Sequence, residues 1–348
     1  MNDTSMIFEL IHQTVQSGKG KKLNVSWLCD CAGVSRSGYY AWLKAAPIRE
    51  ARDEQDKKDF ELILEAYKFR GYDKGARSIH MRLLHMDPAV NMNLKKIRRL
   101  MKKYNLYCRI RRANPYRRMA KAMKTSNVAD NLLSREFEMY GPRVVLLTDI
   151  TYIPYNGTFA YLSVIMDAFT KQVLSYVLSS SLQVDFVLET VKQLLEDHSE
   201  ISQNHSTIIH SDQGCHYTSY KFIDLLNNSG LRQSMSRRGN CWDNAPQESF
   251  FGHMKDSTNF SGCETFEEVK FIVDDYISYY NTDRYVWDLC KLSPDEYYYF
   301  VTTGKYPIKG VKAPEVPKDF KAAEELGQLC RKAGSVTEGD GTELPQTS

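Results

Sequence analysis

The sequence predicts an α/β domain built on a mixed sheet and preceded by all-helical modules, and three observations predict it. The texture changes near residue 140. Before it, apolar residues recur at helical spacing; after it come three β-rich runs, RVVLLTDITYIPY, FAYLSVIMDAFT and KQVLSYVLSS. Strands then alternate with amphipathic helices, which gives a sheet covered on its faces. Charge is partitioned as well. Residues 95–124 hold thirteen Lys/Arg and no Asp/Glu, although the formal net charge of the chain is only +3, so the remainder is net acidic.

The elements follow in chain order. Within residues 6–44, NVSWLCDCAGVSRSGYYAWLK has the shape of a helix-turn-helix. Its first helix spans Val25–Cys31, Gly33 makes the turn, and Ser35 caps a second helix carrying Tyr39, Tyr40 and Trp42. A plain helical hairpin fits this stretch too. EARDEQDKKDFELILEAYKF is a charged helix, and a helical pair follows Gly71 and Gly75, near 76–85 and 93–104. In its second member, NLKKIRRLMKKY, one face carries Leu94, Ile97, Leu100 and Met101, while basic residues cover the others. Such a helix can pack one stripe and turn the rest to phosphate, and Tyr104, Tyr107 and Tyr116 are interleaved with the basic block. The expected division is a helix-turn-helix over 1–50, a second helical DNA-binding module over 51–120, a basic linker over 121–139, a sheet domain over 140–305, and a polar, loosely ordered tail over 306–348.

Three β-rich runs joined at Asn156-Gly157 and around Thr170 form an antiparallel meander. VDFVLETVKQLLEDHS is a helix, STIIHSDQG a short strand ending in a loop, SYKFIDLLNNSG a helix and LRQSMSR a strand. A helix opened by Asp243 or Asn244 and Pro246 then carries Glu248, and TFEEVKFIVDDYISYYNTDR forms another.

At 348 residues, with 42% hydrophobic and 26% charged content, the chain suits a globular protein of two or three domains. Asp3 and Glu9 stand where a signal peptide would carry its basic region, and no apolar run reaches the length of a membrane span, so a cytoplasmic, nucleoid-associated protein with no membrane partner is expected. Eight cysteines, none in a C-x-x-C pair, read as buried, reduced thiols.

Three carboxylates stand out. Asp149 interrupts an apolar strand, Asp212 closes the strand STIIHSD, and Glu248 sits in the first turn of its helix among Ser249, Phe250 and Phe251. Each alone has an ordinary reading: a strand-edge residue, a turn Asp before Gly214, and an acid favoured by the helix dipole. Together on one site they would repel strongly without a cation, and hard oxygen donors suit Mg²⁺ or Mn²⁺. Lys255 lies seven residues after Glu248, which returns to nearly the same helix face about 10 Å away. Asp167 and Asp243 read as a turn residue and a helix cap.

TDITY, HSDQG and DNAPQESFFGHMK, in that order and with 35 residues between Asp212 and Glu248, resemble the DDE transposase and retroviral-integrase superfamily. The chain is most similar to the larger reading-frame product of IS3-family insertion sequences. GVSRSGYYAW, GYDKGARSIHMRLL, NLKKIRRLMKK and YYNTDRYVWDLCKLSPDEYY extend the resemblance over about residues 25–300. It implies a ribonuclease-H-like catalytic core with a mixed five-stranded sheet, and two divalent ions held by Asp149, Asp212 and Glu248. It also implies DNA cleavage at element ends followed by strand transfer. Terminal inverted repeats and target DNA are the implied partners, with a homo-multimer on DNA and, in this family, a separate upstream reading-frame protein. Lys255 stands where the family has a basic residue. The further DNA-contact candidates are Arg36, Lys95, Lys96, Arg98, Arg99, Lys102, Lys103, Arg111 and Arg112, and His210 and Asn244 could orient phosphate or carboxylate. Trp242 and Tyr285-Val286-Trp287 depart from the family pattern. A non-catalytic DNA-binding regulator and a nuclease that cuts without joining are the competing readings.

Overall fold

The computed structural model describes residues 4–17, 24–108, 140–203, 207–235, 245–318 and 320. Arg111, Arg112, Trp242, Asp243, Asn244 and the 121–139 linker lie outside them. The chain divides into two compact units, Met1–Ala66 with Lys95–Leu106, and Tyr67–Leu94 with Tyr107–Ser348. The module expected over 51–120 is therefore shared between the units.

In the first unit, α1 (Thr4–Ser17), α2 (Val25–Cys31) and α3 (Arg36–Lys44) enclose a small core of Phe8, Ile11, Cys29 and Tyr39. The expected helix Val25–Cys31 and the helix capped by Ser35 are both present. Asn24 accepts from the Ser26 N–H at 2.9 Å and Ser35 from the Gly38 N–H at 3.1 Å, so each helix has its cap. Gly33 makes the turn at φ 67°, a left-handed conformation that a side chain resists. The same unit holds α4 (Ala46–Lys68) up to Ala66, and α6 (Leu94–Lys103) from Lys95, whose Ile97, Leu100 and Met101 are buried.

The second unit contains α5 (Ala76–Leu84) and a five-stranded sheet in the order β3-β2-β1-β4-β5. β1 (Val145–Tyr155), β2 (Thr158–Asp167) and β3 (Val173–Ser179) form the expected meander, with Asn156 at φ 40° and Gly157 at φ 72° making a two-residue turn. β4 (Ile208–Ser211) and β5 (Arg232–Met235) run parallel to β1. This mixed order is the ribonuclease-H-like arrangement. One sheet face is covered by α7 (Asp185–Asp197) and α9 (Tyr220–Asn228), which bury Phe186, Val191, Phe222 and Leu226 against Leu146, Ile165 and Ile209; α8 (Ser199–Gln203) follows α7. The other face carries α10 (Ala245–Ser257) and α11 (Phe266–Thr282), whose Phe250, Met254, Val273 and Tyr276 pack on Ile153, Ala160, Leu162 and Val164.

Asp167 is more than a turn residue. It is fully buried, accepts from the Phe169 N–H at 2.9 Å, and pairs with the Arg143 guanidinium at 3.3 Å. A further helix, α12 (Pro294–Thr303), begins at a capping box of Ser293 and Glu296. Beyond it the described chain is not a loose tail. Ile308 is buried, Val311 and Val316 join its cluster, and the Phe320 ring lies 5.3 Å from Phe169, because enough apolar side chains recur there to hold it. Among the described residues no helix is long and apolar enough to cross a membrane. The described cysteines are free, yet only Cys29 and Cys263 are buried; Cys31 and Cys215 are exposed.

Candidate active site

Strand register brings the first two carboxylates together. β1 and β4 pair in parallel, Leu147 opposite His210. Asp149 and Asp212 each lie two residues further on, so the alternation of side chains puts both on the same face, Asp149 in the middle of β1 and Asp212 just past the carboxyl end of β4. That face is the one α10 covers, since Asp149 is paired across β2 with Val164 of the same core.

Gln247 fixes the third. It is fully buried, and its Nε2 donates to the Val164 carbonyl at 2.8 Å, directly across the strand pair from Asp149. Phe250, Phe251 and Met254 continue the buried side of α10, while Glu248 and Lys255 are exposed. The Phe residues thus seat the helix, and Gln247 sets its first turn against β2, the neighbour of the strand that carries Asp149. The sequence reading missed Gln247. Its only signal was a polar residue at a position where the helix turns inward.

The carboxylates sense one another. Asp149 is half-buried and accepts from the Ile150 N–H at 2.8 Å. Its pKa is pushed up to about 7, first by burial and then by the negative charges of Asp212 and Glu248, against the opposing pull of the Ile150 N–H and the Lys255 ammonium. Burial lowers the Lys255 pKa, and Asp149 partly restores it. Asp212 is exposed and accepts from the Gly214 N–H at 2.8 Å. A Cβ on Gly214 would come within 2.9 Å of an Asp212 oxygen, so a glycine there lets the carboxylate keep its place. Among the described residues no three His, Cys, Asp or Glu side chains are gathered closely enough to chelate one ion.

Two more groups surround the site. His210 is buried, with Nδ1 3.0 Å from the Ser234 hydroxyl on β5. Tyr217, which sequence reasoning also missed, is buried with its hydroxyl 3.4 Å from the Thr148 hydroxyl, and its pKa is raised by burial and by Asp149 and Asp212. It belongs to the loop after Asp212, where HSDQGCHY shows only one aromatic among polar residues.

The basic candidates separate into two groups. Lys96, Arg99 and Lys103 face the acidic side of α4: Lys96 pairs with Asp59, Arg99 forms two bonds of 2.7 Å with Asp56, and Lys103 reaches Asp53 at 2.6 Å and Asp56 at 2.9 Å. Lys95, Arg98 and Lys102 are exposed on the other side of α6, and Arg36 is exposed on α3.

A model described as an integrase core domain matches residues 139–241, a second of the same description matches 248–299, and one for an HTH-like domain matches 54–114. The InsK protein of insertion sequence element IS150 from Escherichia coli K12 is 31% identical over 78% of this chain and 92% of its own length. The chain belongs to the IS3-family insertion-sequence transposases. The transposase for insertion sequence element IS904 of Lactococcus lactis is 32% identical to this family member over 71% of the chain and 97% of its own. Among solved structures, the HTLV-2 integrase catalytic core in complex with magnesium matches 45% of the chain and 97% of its own at a TM-score of 0.33 and 16% identity.

Proposed function

We infer that this transposase-family chain cleaves DNA at the ends of its element and joins them to target DNA, through Asp149, Asp212 and Glu248. The observation that carries this reading is the strand register that puts Asp149 and Asp212 on one face of adjacent parallel strands beneath the helix that carries Glu248; the raised pKa of Asp149, set first by burial and then by the two other carboxylates, accompanies it. Such a perturbed carboxyl on a shared corner marks a functional group. A divalent ion suits the corner, because the three donors are hard oxygens and a cation would offset the burial and the repulsion that raise the Asp149 pKa.

Asp149, Asp212 and Glu248 do not stand close enough here to chelate one ion between them, and would draw together around two, Mg²⁺ with Mn²⁺ as substitute. Bound there, they supply an activated nucleophile and stabilise the leaving oxygen of an in-line displacement. Asp212 is kept in place by the Gly214 N–H, and Glu248 by the seat of α10 on the sheet. Lys255 lies two helical turns from Glu248 and anchors a strand phosphate. His210 and Tyr217 stiffen the floor beneath Asp149 and Asp212, and the loss of a proton from Asp149 readies it as a ligand. Water serves as nucleophile in cleavage and the released 3′-hydroxyl in joining, so one site serves both steps. Outside the core, Arg36, Arg98 and Lys102 are exposed cations open to phosphate, whereas Lys96, Arg99 and Lys103 are already neutralised by α4. The working form is a homo-multimer that brings two ends together, with an upstream-frame protein as partner.

The test is a strand-transfer assay on labelled fragments from the DNA flanking this gene, with Mg²⁺ or Mn²⁺. Joined products longer than the substrate, absent with Asp212→Asn, are expected. Cleavage without joining would favour a nuclease, and neither product, even with the upstream-frame protein added, would overturn the catalytic reading.

A further inference from the structure

Two of the sequence motifs belong neither to the carboxylate corner nor to the helix-turn-helix, and in the second unit they meet. GYDKGARS, before and within α5, and YYNTDRY, at the end of α11, line one cleft of about 400 Å³ whose third wall is the far end of α10. Lys74, Ser78, Arg82, His253, Ser257 and Arg284 lie on its walls.

The charges in this cleft are unevenly matched. Of its carboxylates, Asp283 is taken by Arg70 at 3.1 Å and Asp73 by the Tyr67 hydroxyl at 2.8 Å, with Asp256 on the α10 side. Lys74 is buried, and its ammonium donates to the carbonyls of Tyr67, Phe69 and Tyr72. Arg82 lies flat on the Phe69 ring at 3.6 Å and Arg284 over Tyr280 at 5.5 Å; among the described residues neither has a carboxylate at salt-bridge distance. The Phe69 ring and one bond from Arg82 Nη1 to the Tyr285 hydroxyl at 3.4 Å hold Arg82 in place, and among the described residues its remaining donors face no carboxylate. Lys74 is pushed down to about 8 by burial and by Arg82, against the opposite pull of Asp73 and Asp283, and His253 is lowered by burial and by Arg284, against Asp256. An anion entering the cleft would relieve both.

We propose that this cleft is a second phosphate site, in which Arg82 and Arg284, with the Ser78 and Ser257 hydroxyls and His253, grip a phosphodiester of the DNA outside the carboxylate corner. His253 and Ser257 lie five and nine residues beyond Glu248 on α10, about 8–14 Å along the helix. They fall about 140° and 180° round the helix from Glu248, so a duplex that crosses the exposed side of α10 from the corner brings a further phosphate to the cleft mouth. A free phosphate would use the same donors, and the test separates the two sources. The proposal rests on the chain acting on DNA, but not on the triad.

The experiment is fluorescence anisotropy of a labelled 40-base-pair duplex with the full chain, without metal ions and over a salt series, alongside the NMR titration of the His253 ring. Arg82→Gln and Arg284→Gln are each expected to weaken binding about tenfold and to reduce the salt slope by about one, with Lys replacements recovering part of the loss. In the wild type, adding duplex should raise the His253 pKa, a readout that survives any misfolding of the variants. No metal ion is present in this assay and the triad takes no part in its readouts, so failure of the triad reading leaves this test intact. Wild-type affinity and slope in both arginine variants would overturn the proposal. So would a His253 response to inorganic phosphate but not to duplex, which would mark a site for free phosphate. A wild type that does not bind duplex at all would overturn both the proposal and the DNA reading.

Discussion

The α4–α6 pair and the β1–β4 corner use the same residue type to opposite ends. Along α4, Asp53, Asp56 and Asp59 each meet a cation of α6, and the Arg99 guanidinium holds the Asp56 carboxyl well below the usual range. At the corner, Asp149 meets two other acids, and its carboxyl is pushed up to about 7. A matched carboxylate adds to stability; a crowded one costs stability and waits for a cation. The comparison separates structural charge from charge kept for chemistry, in a chain where aspartates are common everywhere.

The largest expected effect breaks the second half of that comparison. Glu248→Gln should reduce strand cleavage by about a thousandfold or more while duplex binding stays within about twofold of wild type, since metal-site ligands act as a unit. Cleavage assays and anisotropy on one preparation check this, and undiminished cleavage would remove Glu248 from the site.

Next come the opposite stability responses. A raised carboxyl stabilises the fold only while protonated, so Asp149 costs stability as pH rises from about 4 through 7, and Asp149→Asn should make the metal-free protein more stable at pH 8 by about 2 kcal/mol. Asp56 has the reverse sign: its contribution is present above the ordinary Asp pKa and is lost as pH falls below about 4. Asp56→Asn should therefore cost about 1–2 kcal/mol at pH 7 and still most of that at pH 3, because the carboxyl held by Arg99 stays ionised well below the ordinary range. Denaturant melts of the two variants at both pH values read these signs directly. Equal effects of the two substitutions would erase the distinction between the regions.

Smaller effects sharpen the corner. Gly214→Ala should displace the Asp212 carboxylate, and Gln247→Leu should loosen the first turn of α10; each is expected to raise the Mg²⁺ concentration for half-maximal cleavage about fivefold to tenfold. A loss of maximal rate with an unchanged metal requirement would argue against positioning.

Much of this was legible in the sequence because its signals were local. Caps at Ser35, the Asn156-Gly157 turn and the alternation of RVVLLTDITYIPY named helices and strands without any tertiary knowledge. Glu248 and Lys255 could be placed on one face from helix geometry alone. The pairings that arise only from packing were not legible. Nothing in NLKKIRRLMKKY says that Lys96, Arg99 and Lys103 face α4 while Lys95, Arg98 and Lys102 face outwards, because both sets are equally basic. Gln247 and Tyr217 gain their positions from register and burial, which single residues do not advertise. The capping box at Ser293 was readable as a helix start, and the apolar spacing of Ile308, Val311, Val316 and Phe320 could have shown that the chain stays docked beyond it.

The most direct measurement is isothermal titration of Mn²⁺ into the DNA-free protein at pH 7 in buffers of differing ionisation enthalpy, which counts the protons that metal binding releases. A carboxyl near half-protonation at pH 7 should release about half a proton per site on binding, and Asp149→Asn should abolish that release. Metal binding with no proton release, or binding unaltered by Asp149→Asn and by Glu248→Gln, would contradict a single metal centre built from these three carboxylates.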